Sequence, residues 1–319
     1  MNLYFAPMEG LTDAIYRRVH HDTFGGVTQY YMPFISPTAS QSYTAREMFD
    51  LSPRENAGVP VVPQVLARDA AYFLGAARML CDAGYTEINL NVGCPSGTVT
   101  AKGKGAGLLK EPDQLRRFLD AAVPRCPLPL TVKTRLGYND PAEWPQLLSI
   151  YMDYPLKALI LHPRTSREFY AGQPHNEVFD ALLSAAPFPV IHNGNVFTPA
   201  DGRRVMAEHP ALAGLMLGRG LATNPALARQ LQDGEGLTKE SLLLFHDRLY
   251  REYMRHWTEH AAIGRMHGIM GYLRFCFSGA ARPLRALRKS TTPREYADAV
   301  AWLFDEGELI DPPVFIPPN

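Results

Sequence analysis

The sequence predicts a (β/α)8 TIM barrel followed by a small all-helical C-terminal domain, and three observations carry that expectation. Short apolar strand candidates recur eight times through roughly the first 230 residues, and amphipathic stretches separate them. Beyond Gly234 the strand signal stops while helical periodicity continues. The 319-residue chain is 46% hydrophobic, enough to bury a large core. We therefore expect a barrel domain over residues 1–234 and a helical domain with a proline-rich tail over 235–319.

Strands are expected near 2–6 (NLYFA), 27–32 (VTQYYM), 60–66 (PVVPQVL), 85–91 (YTEINLN), 129–134 (PLTVKT), 157–162 (KALILH), 188–193 (FPVIHN) and 213–218 (AGLMLG). Between them, residues 70–83 and 112–123 read as helices, the second opened by Glu111, Pro112 and Asp113. An open doubly wound sheet is the alternative, but no G-x-G-x-x-G follows the first strand. After the barrel, residues 236–257, 266–277 and 293–304 show helical periodicity, and the closing DPPVFIPPN reads as extended.

Lys and Arg together number 32, as do Asp and Glu, so a surface for nucleic acid must be a local patch rather than a global charge excess. Cys81, Cys94, Cys126 and Cys276 lie far apart with no C-x-x-C pair. That spacing argues against a zinc site or a disulfide framework and suits a reducing compartment. No signal-like leader or membrane-length apolar run is evident. The expectation is a cytoplasmic monomer without a metal.

Barrel enzymes carry their chemistry at the carboxyl ends of the strands. There the sequence sets Pro7-Met8-Glu9-Gly10, Gln64, Asn89 with Asn91 and Cys94, Lys133 with Arg135, His162 with Arg164, Asn193-Gly194-Asn195, and Gly218-Arg219-Gly220. Taken singly, each has a plainer reading as a backbone cap, a solvated charge or buried packing. Their register with successive strand ends favours a site. Glycines after the seventh and eighth strands suit close approach of an anion, Arg219 adds a charge-assisted donor, and Lys133 suits either a developing anion or a Schiff base. Read this way the residues admit an anion-binding barrel enzyme in which Lys133 either neutralises a developing charge or forms a Schiff base.

Seven segments together narrow these alternatives: APMEGLTD, PVVPQVL, INLNVGCPSGTVTAKGKGAGLL, VKTRLG, LHPRT, VIHNGNV and LGRGLATNP. In this order they resemble the tRNA-dihydrouridine synthase family, and the N-x-G-C-P-S piece is the most discriminating. The resemblance implies an FMN enzyme that uses NADPH to reduce a uridine of transfer RNA to dihydrouridine. It implies that Pro7, Met8 and Glu9 border the flavin ring, that Gln64 and Lys133 bond its polar edge, and that His162 lies beside it. Asn193, Gly194, Asn195, Gly218 and Arg219 are implied at the phosphate end, Cys94 as proton donor, and Asn91 against the target uracil. A thiol with its ordinary pKa of about 8.5 is protonated at neutral pH, which suits that acid role. The chain departs from the family pattern at Asn195, where an acid is common, at Pro163, where glycine is common, and at Gly97, where lysine is common.

RNA contacts are expected from two acid-free stretches, residues 96–110 with Lys102, Lys104 and Lys110, and residues 265–289 with Arg274, Arg282, Arg285 and Arg288. Arg135 and Arg164 are expected to add to them.

Overall fold

A computed structural model of the chain describes residues 1–313 and 315–316. The expectation of an extended proline-rich tail falls partly on Val314 and residues 317–319, outside the described residues.

In chain order the strands of the main sheet are β1 (Asn2–Phe5), β2 (Gln29–Tyr31), β3 (Val61–Val62), β4 (Gln64–Val65), β5 (Ile88–Val92), β6 (Leu130–Gly137), β7 (Ala158–Thr165), β8 (Val190–His192) and β9 (Gly214–Leu217). They bond in the order β3-β2-β1-β9-β8-β7-β6-β5-β4. The two ends of that series, β3 and β4, are separated only by Pro63. The segment pairs in parallel with β2 through Val61 and Val62, then with β5 through Gln64 and Val65. At the changeover Pro63 has no N–H to place, and its carbonyl accepts from the Asn89 N–H at 2.9 Å. The nine segments are thus eight strand positions closed into the expected TIM barrel.

Parallel register fixes which side chains share the interior. Gln64 pairs with Asn89, Asn89 with Thr131, Asn91 with Lys133, Lys133 with Ile160 and Arg135 with His162. Because side chains alternate along a strand, this whole set faces one way. Ile160 belongs to a buried apolar cluster with Tyr4, Tyr31, Val62, Ile191 and Met216. The interior therefore changes along the strands from apolar packing to amides and cations at the carboxyl ends.

All eight expected strands are present, with shifted ends. β6 and β7 run three residues past the expected ends at 134 and 162. Polar residues there continue the ladder instead of leaving it, since Arg135 pairs with His162 and, after a register shift, Gly137 with Thr165.

Contacts divide the described chain into two compact units. The first comprises Met1–Pro7, Gln29–Gly194 and Met206–Met216; the second comprises Met8–Thr28, Asn195–Val205 and residues from Leu217 onward. Within the first unit lie α2 (Ala45–Asp50), α3 (Ala70–Asp82), α4 (Gly97–Thr100), α5 (Pro112–Ala122), α6 (Trp144–Met152) and α7 (Val178–Ala185). Phe73 of α3 meets Phe118 of α5 edge-on at 5.6 Å, burying the apolar faces that the sequence pattern marked.

After β8 comes α8 (Pro199–Glu208), and the second unit gathers α1 (Ala14–Thr23), α9 (Arg219–Thr223), α10 (Leu227–Leu231), α11 (Lys239–His256), α12 (Glu259–Leu273), α13 (Ala281–Lys289) and α14 (Pro293–Glu306). Phe245 of α11 packs edge-on against Tyr16 at 5.5 Å and Phe24 at 5.3 Å, and the Tyr253 hydroxyl donates to Asp13 Oδ1 at 2.9 Å. These contacts group the early helix α1 with the C-terminal helices. Among the described residues no helix is long and apolar enough to cross a membrane.

Candidate active site

Four hydrogen bonds hold the Gly93–Cys94 turn, two of them on the Cys94 backbone itself. Asn91, on the inward face of β5, accepts the N–H groups of Gly93 at 3.1 Å and Cys94 at 2.9 Å through its side-chain oxygen. The Cys94 carbonyl accepts from Ala106 N–H at 3.0 Å, and the Gly93 carbonyl accepts from Arg135 Nε at 2.9 Å. The returning loop needs Gly105 at φ +56°, where a Cβ would sit 2.9 Å from the Cys94 carbonyl oxygen. Cys94 itself is half-buried, and no disulfide joins the four cysteines.

Behind this turn runs a buried chain of amides. Asn91 Nδ2 donates to Gln64 Oε1 at 2.8 Å, Gln64 Nε2 to Asn89 Oδ1 at 2.7 Å, and Asn89 Nδ2 to the Thr131 hydroxyl at 2.9 Å. Each link fixes the amide orientation of the next, so Gln64 and Asn91 have little rotational choice. Asn91 therefore acts here as the clasp of the Cys94 turn, with one amide hydrogen left over for a carbonyl.

Lys133 stands beside Asn91 in the ladder and makes no hydrogen bond or ion pair among the described residues. Burial, then the charge of Arg135, brings its ammonium down to about 7, against a smaller opposing pull from Cys94. His162 is buried, with Nε2 3.3 Å from Arg164 Nη1 and its ring 5.9 Å from that of Tyr170. A half-buried cation without an acidic partner, next to fixed amides and a thiol, suits a ligand that brings acceptors or negative charge.

Arg135 and Arg164 have different surroundings from those an RNA contact would require. Arg135 is 2% exposed and its Nη1 donates to the carbonyls of Thr165 at 2.8 Å and Phe169 at 3.0 Å. Arg164, fully buried, donates to the carbonyls of Ala171 at 3.0 Å and Gly172 at 2.7 Å. The two guanidiniums pin the loop after β7, which presents Tyr170 half-exposed over His162.

At the end of β8, Asn193 Nδ2 donates to the Met216 carbonyl at 2.8 Å. Gly194 is required for packing, since a Cβ there would lie 2.5 Å from the His192 ring, itself wedged 5.0 Å from Phe179. Pro7 is half-buried at the end of β1. Lys102 is exposed, and Lys104 donates to the Ser36 hydroxyl at 2.6 Å while Arg68 reaches the Lys102 carbonyl at 3.3 Å. Arg68 thus joins this basic group, which sequence reading missed because it follows the preceding strand.

In the second unit, Met8 opens a turn in which its N–H donates to the Thr12 hydroxyl at 2.9 Å, with exposed Glu9 and then Gly10 at φ +77°. Arg219 Nη2 donates to Asn195 Oδ1 at 3.1 Å, and its guanidinium lies 5.5 Å from the Phe197 ring. Gly218 precedes the short helix that starts at Arg219. Arg282, Arg285 and Arg288 on α13 are all exposed, spaced to form a row opposite buried Pro283 and Leu287. Among the described residues no group of His, Cys, Asp and Glu comes together to hold a metal ion.

A closed parallel barrel with a thiol, a lysine and oriented amides at its carboxyl end defines an enzyme of the TIM-barrel class. A family model described as dihydrouridine synthase (Dus) matches residues 4–286, and the chain belongs to that family. It is 33% identical over 223 residues to a probable tRNA-dihydrouridine synthase of Rhodobacter capsulatus, covering 69% of this chain and 67% of the relative. To the tRNA-dihydrouridine(16) synthase of Pseudomonas putida it is 34% identical over 266 residues, covering 80% and 81%. The protein of the same name from Cupriavidus necator is 31% identical over 303 residues, covering 90% and 92%. Among solved structures, the old yellow enzyme homologue of Zymomonas mobilis superposes with a TM-score of 0.55 at 10% identity, covering 76% of this chain and 92% of that one. Morphinone reductase gives 0.52 at 9%, covering 76% and 88%. At such low identity these two speak for the barrel fold alone.

Proposed function

We propose that the protein uses FMN and NADPH to reduce a specific uridine of transfer RNA to 5,6-dihydrouridine. The observation that carries this reading is Cys94, clamped at a strand tip beside Lys133 and the Gln64–Asn91 amides, in a chain of the dihydrouridine synthase family.

The residues suit FMN. Lys133 offers an ammonium with no acid to neutralise it, and the Gln64 amide is oriented by Asn89 and Asn91, which together fit the acceptor-rich edge of an isoalloxazine. His162 lies within β7 and Asn193 directly follows the neighbouring β8, and Pro7 and Gly194 are proposed with them. In the second unit Met8, Glu9, Asn195, Gly218 and Arg219 are proposed as further FMN residues, Arg219 for its phosphate-matching fork. With FMN held there, the hydride for C6 of the uracil would come from the flavin, NADPH being its reductant.

The chain's own residues do the rest. Cys94 delivers a proton from Sγ to C5, and the clasp from Asn91 holds that sulfur in place. A remaining Asn91 amide hydrogen suits a uracil carbonyl. Lys102 and Lys104, with the α13 arginines, are proposed to hold the RNA backbone and offset the cost of unstacking the uridine. Arg135 and Arg164 serve by fixing the loop that carries Tyr170.

The test is one cuvette. Purified protein should show flavin absorption that bleaches with NADPH and recovers anaerobically on adding unmodified transfer RNA, with dihydrouridine found by mass spectrometry. Since the Pseudomonas and Cupriavidus relatives are named for position 16, that uridine is proposed as the target. A colourless protein that cannot be reconstituted with FMN, or recovery without dihydrouridine, would refute the reading. The Schiff-base alternative at Lys133 would instead show covalent trapping by borohydride.

A further inference from the structure

A cleft of about 460 Å3 in the first unit lies among loops that follow three neighbouring strands, lined by Lys110, Tyr138, Asn139, Glu143, Gln146 and Arg167 with flanking residues. Tyr138 comes directly after β6, Arg167 two residues after β7, and Lys110 ends the loop that returns from Cys94. Because the strands run parallel, this is the same end of the barrel as the thiol.

The cleft is built rather than incidental. Glu143 accepts three successive backbone N–H groups, from Tyr138 at 2.6 Å, Asn139 at 3.0 Å and Asp140 at 3.1 Å. Its carboxylate is thereby spent on shaping the turn that carries Tyr138. Gly137 completes the turn, since a Cβ there would sit 2.6 Å from Glu143 Oε2. Arg167 is tied to the same turn twice, its N–H to the Tyr138 carbonyl at 3.1 Å and its Nε to Asn139 Oδ1 at 2.8 Å. The Lys110 ammonium lies 4.2 Å from the centre of the Tyr138 ring. Among the described residues neither Lys110 nor Arg167 forms an ion pair.

Two cations without acidic partners, fixed around one aromatic ring, match the chemistry of a single nucleotide. The cations suit its phosphate and the ring suits a base or ribose face, without reading sequence. We propose that this cleft binds one nucleotide flanking the reacting uridine, with its phosphate on Lys110 and Arg167 and its base against Tyr138. The inference rests on the transfer RNA reading above and adds a subsite to it. Such a contact would hold the strand on one side of the extruded uridine, where displacement of the target by one nucleotide would otherwise be easy.

The experiment compares full-length wild type with Lys110→Gln/Arg167→Gln, Tyr138→Ala and Tyr138→Phe. Binding of unmodified transfer RNA is measured across a salt series, together with dihydrouridine formation. The double variant should bind roughly tenfold more weakly with the salt slope reduced by about two, the loss falling on KM. Tyr138→Ala should weaken binding several-fold, and Tyr138→Phe, which keeps the ring but loses the hydroxyl's hydrogen bonds with Thr100 and Lys110, should bind more tightly than the alanine variant. Thermal melting checks each fold, and if the double variant does not fold, the single lysine and arginine variants should each lower the slope by about one. Folded variants with wild-type affinity and slope overturn the inference. A wild type that makes no dihydrouridine from transfer RNA overturns the functional reading instead, and the variant affinities then still decide whether RNA enters this cleft.

Discussion

The side-chain oxygen of Asn91 accepts the backbone N–H of Cys94 at 2.9 Å, so the residue three positions before the thiol determines where the thiol stands. Asn91→Ala leaves two N–H groups of the turn and the Gln64 Oε1 without their partner, and should cost about 2 kcal/mol of stability. Asn91→Asp keeps the acceptor for the turn and should retain more turnover than alanine. Urea unfolding and single-turnover uridine reduction check both; an alanine variant as fast as wild type would show that the clasp does not position Cys94.

Cys94→Ala removes the proposed proton source without touching the amides behind it. Flavin content and NADPH oxidation should stay near wild type while dihydrouridine formation falls by about 100-fold or more. Loss of flavin binding in this variant would argue that the cysteine is a structural part of the pocket.

Lys133 gives a pH signature to the ligand-free protein. Its folded pKa of about 7 lies below the value of about 10.4 for an unfolded chain, so between these the unfolded state carries more protons. Stability should therefore rise with pH through this window, and Lys133→Met should flatten the rise. Binding of FMN near pH 8 should draw a proton onto Lys133, seen as a binding heat that changes with the buffer's ionisation enthalpy. A slope that persists in the methionine variant would place its origin elsewhere.

Arg135→Lys keeps the charge but loses the fork that reaches the carbonyls of Gly93, Thr165 and Phe169. A loss of about 2 kcal/mol or more is expected, with faster proteolysis within residues 166–172. Unchanged protease sensitivity would mean that Arg164 holds the loop alone.

Exposed Arg285 and Arg288 sit on the charged side of α13. Changing both to Glu should weaken transfer RNA binding by at least tenfold and leave flavin content unaltered, as a filter-binding titration would show. Equal affinity would remove this helix from the RNA surface.

The barrel was legible because its eight short apolar segments alternate with helical stretches, the pattern of parallel strands buried on both faces. Less visible were contacts made across long separations. The bond from Gln64 to Asn89 spans 25 residues, and Thr131, which completes the chain, looks like ordinary strand filler. Strand ends were misjudged at β6 and β7 because Arg135 and Arg164 look like residues that leave a sheet, yet both are buried by bonding loop carbonyls. Gly194 suggested an anion cradle, while its closest neighbour is the buried His192 ring. Tyr138 and Arg167 carried no local signal, since their significance comes from a turn shaped by Glu143.

The neighbour that β1 needs, β9, begins only at Gly214, so the first strand and its last partner are made far apart in time. At about 5–20 residues per second, a ribosome takes roughly 10–40 s to travel from one to the other. Throughout that interval Leu3 and Phe5, fully or almost fully buried in the finished protein, belong to an open edge. The nascent chain thus carries an unpaired, apolar strand edge until its last barrel strand has cleared the exit tunnel, and truncations before residue 214 should aggregate rather than fold.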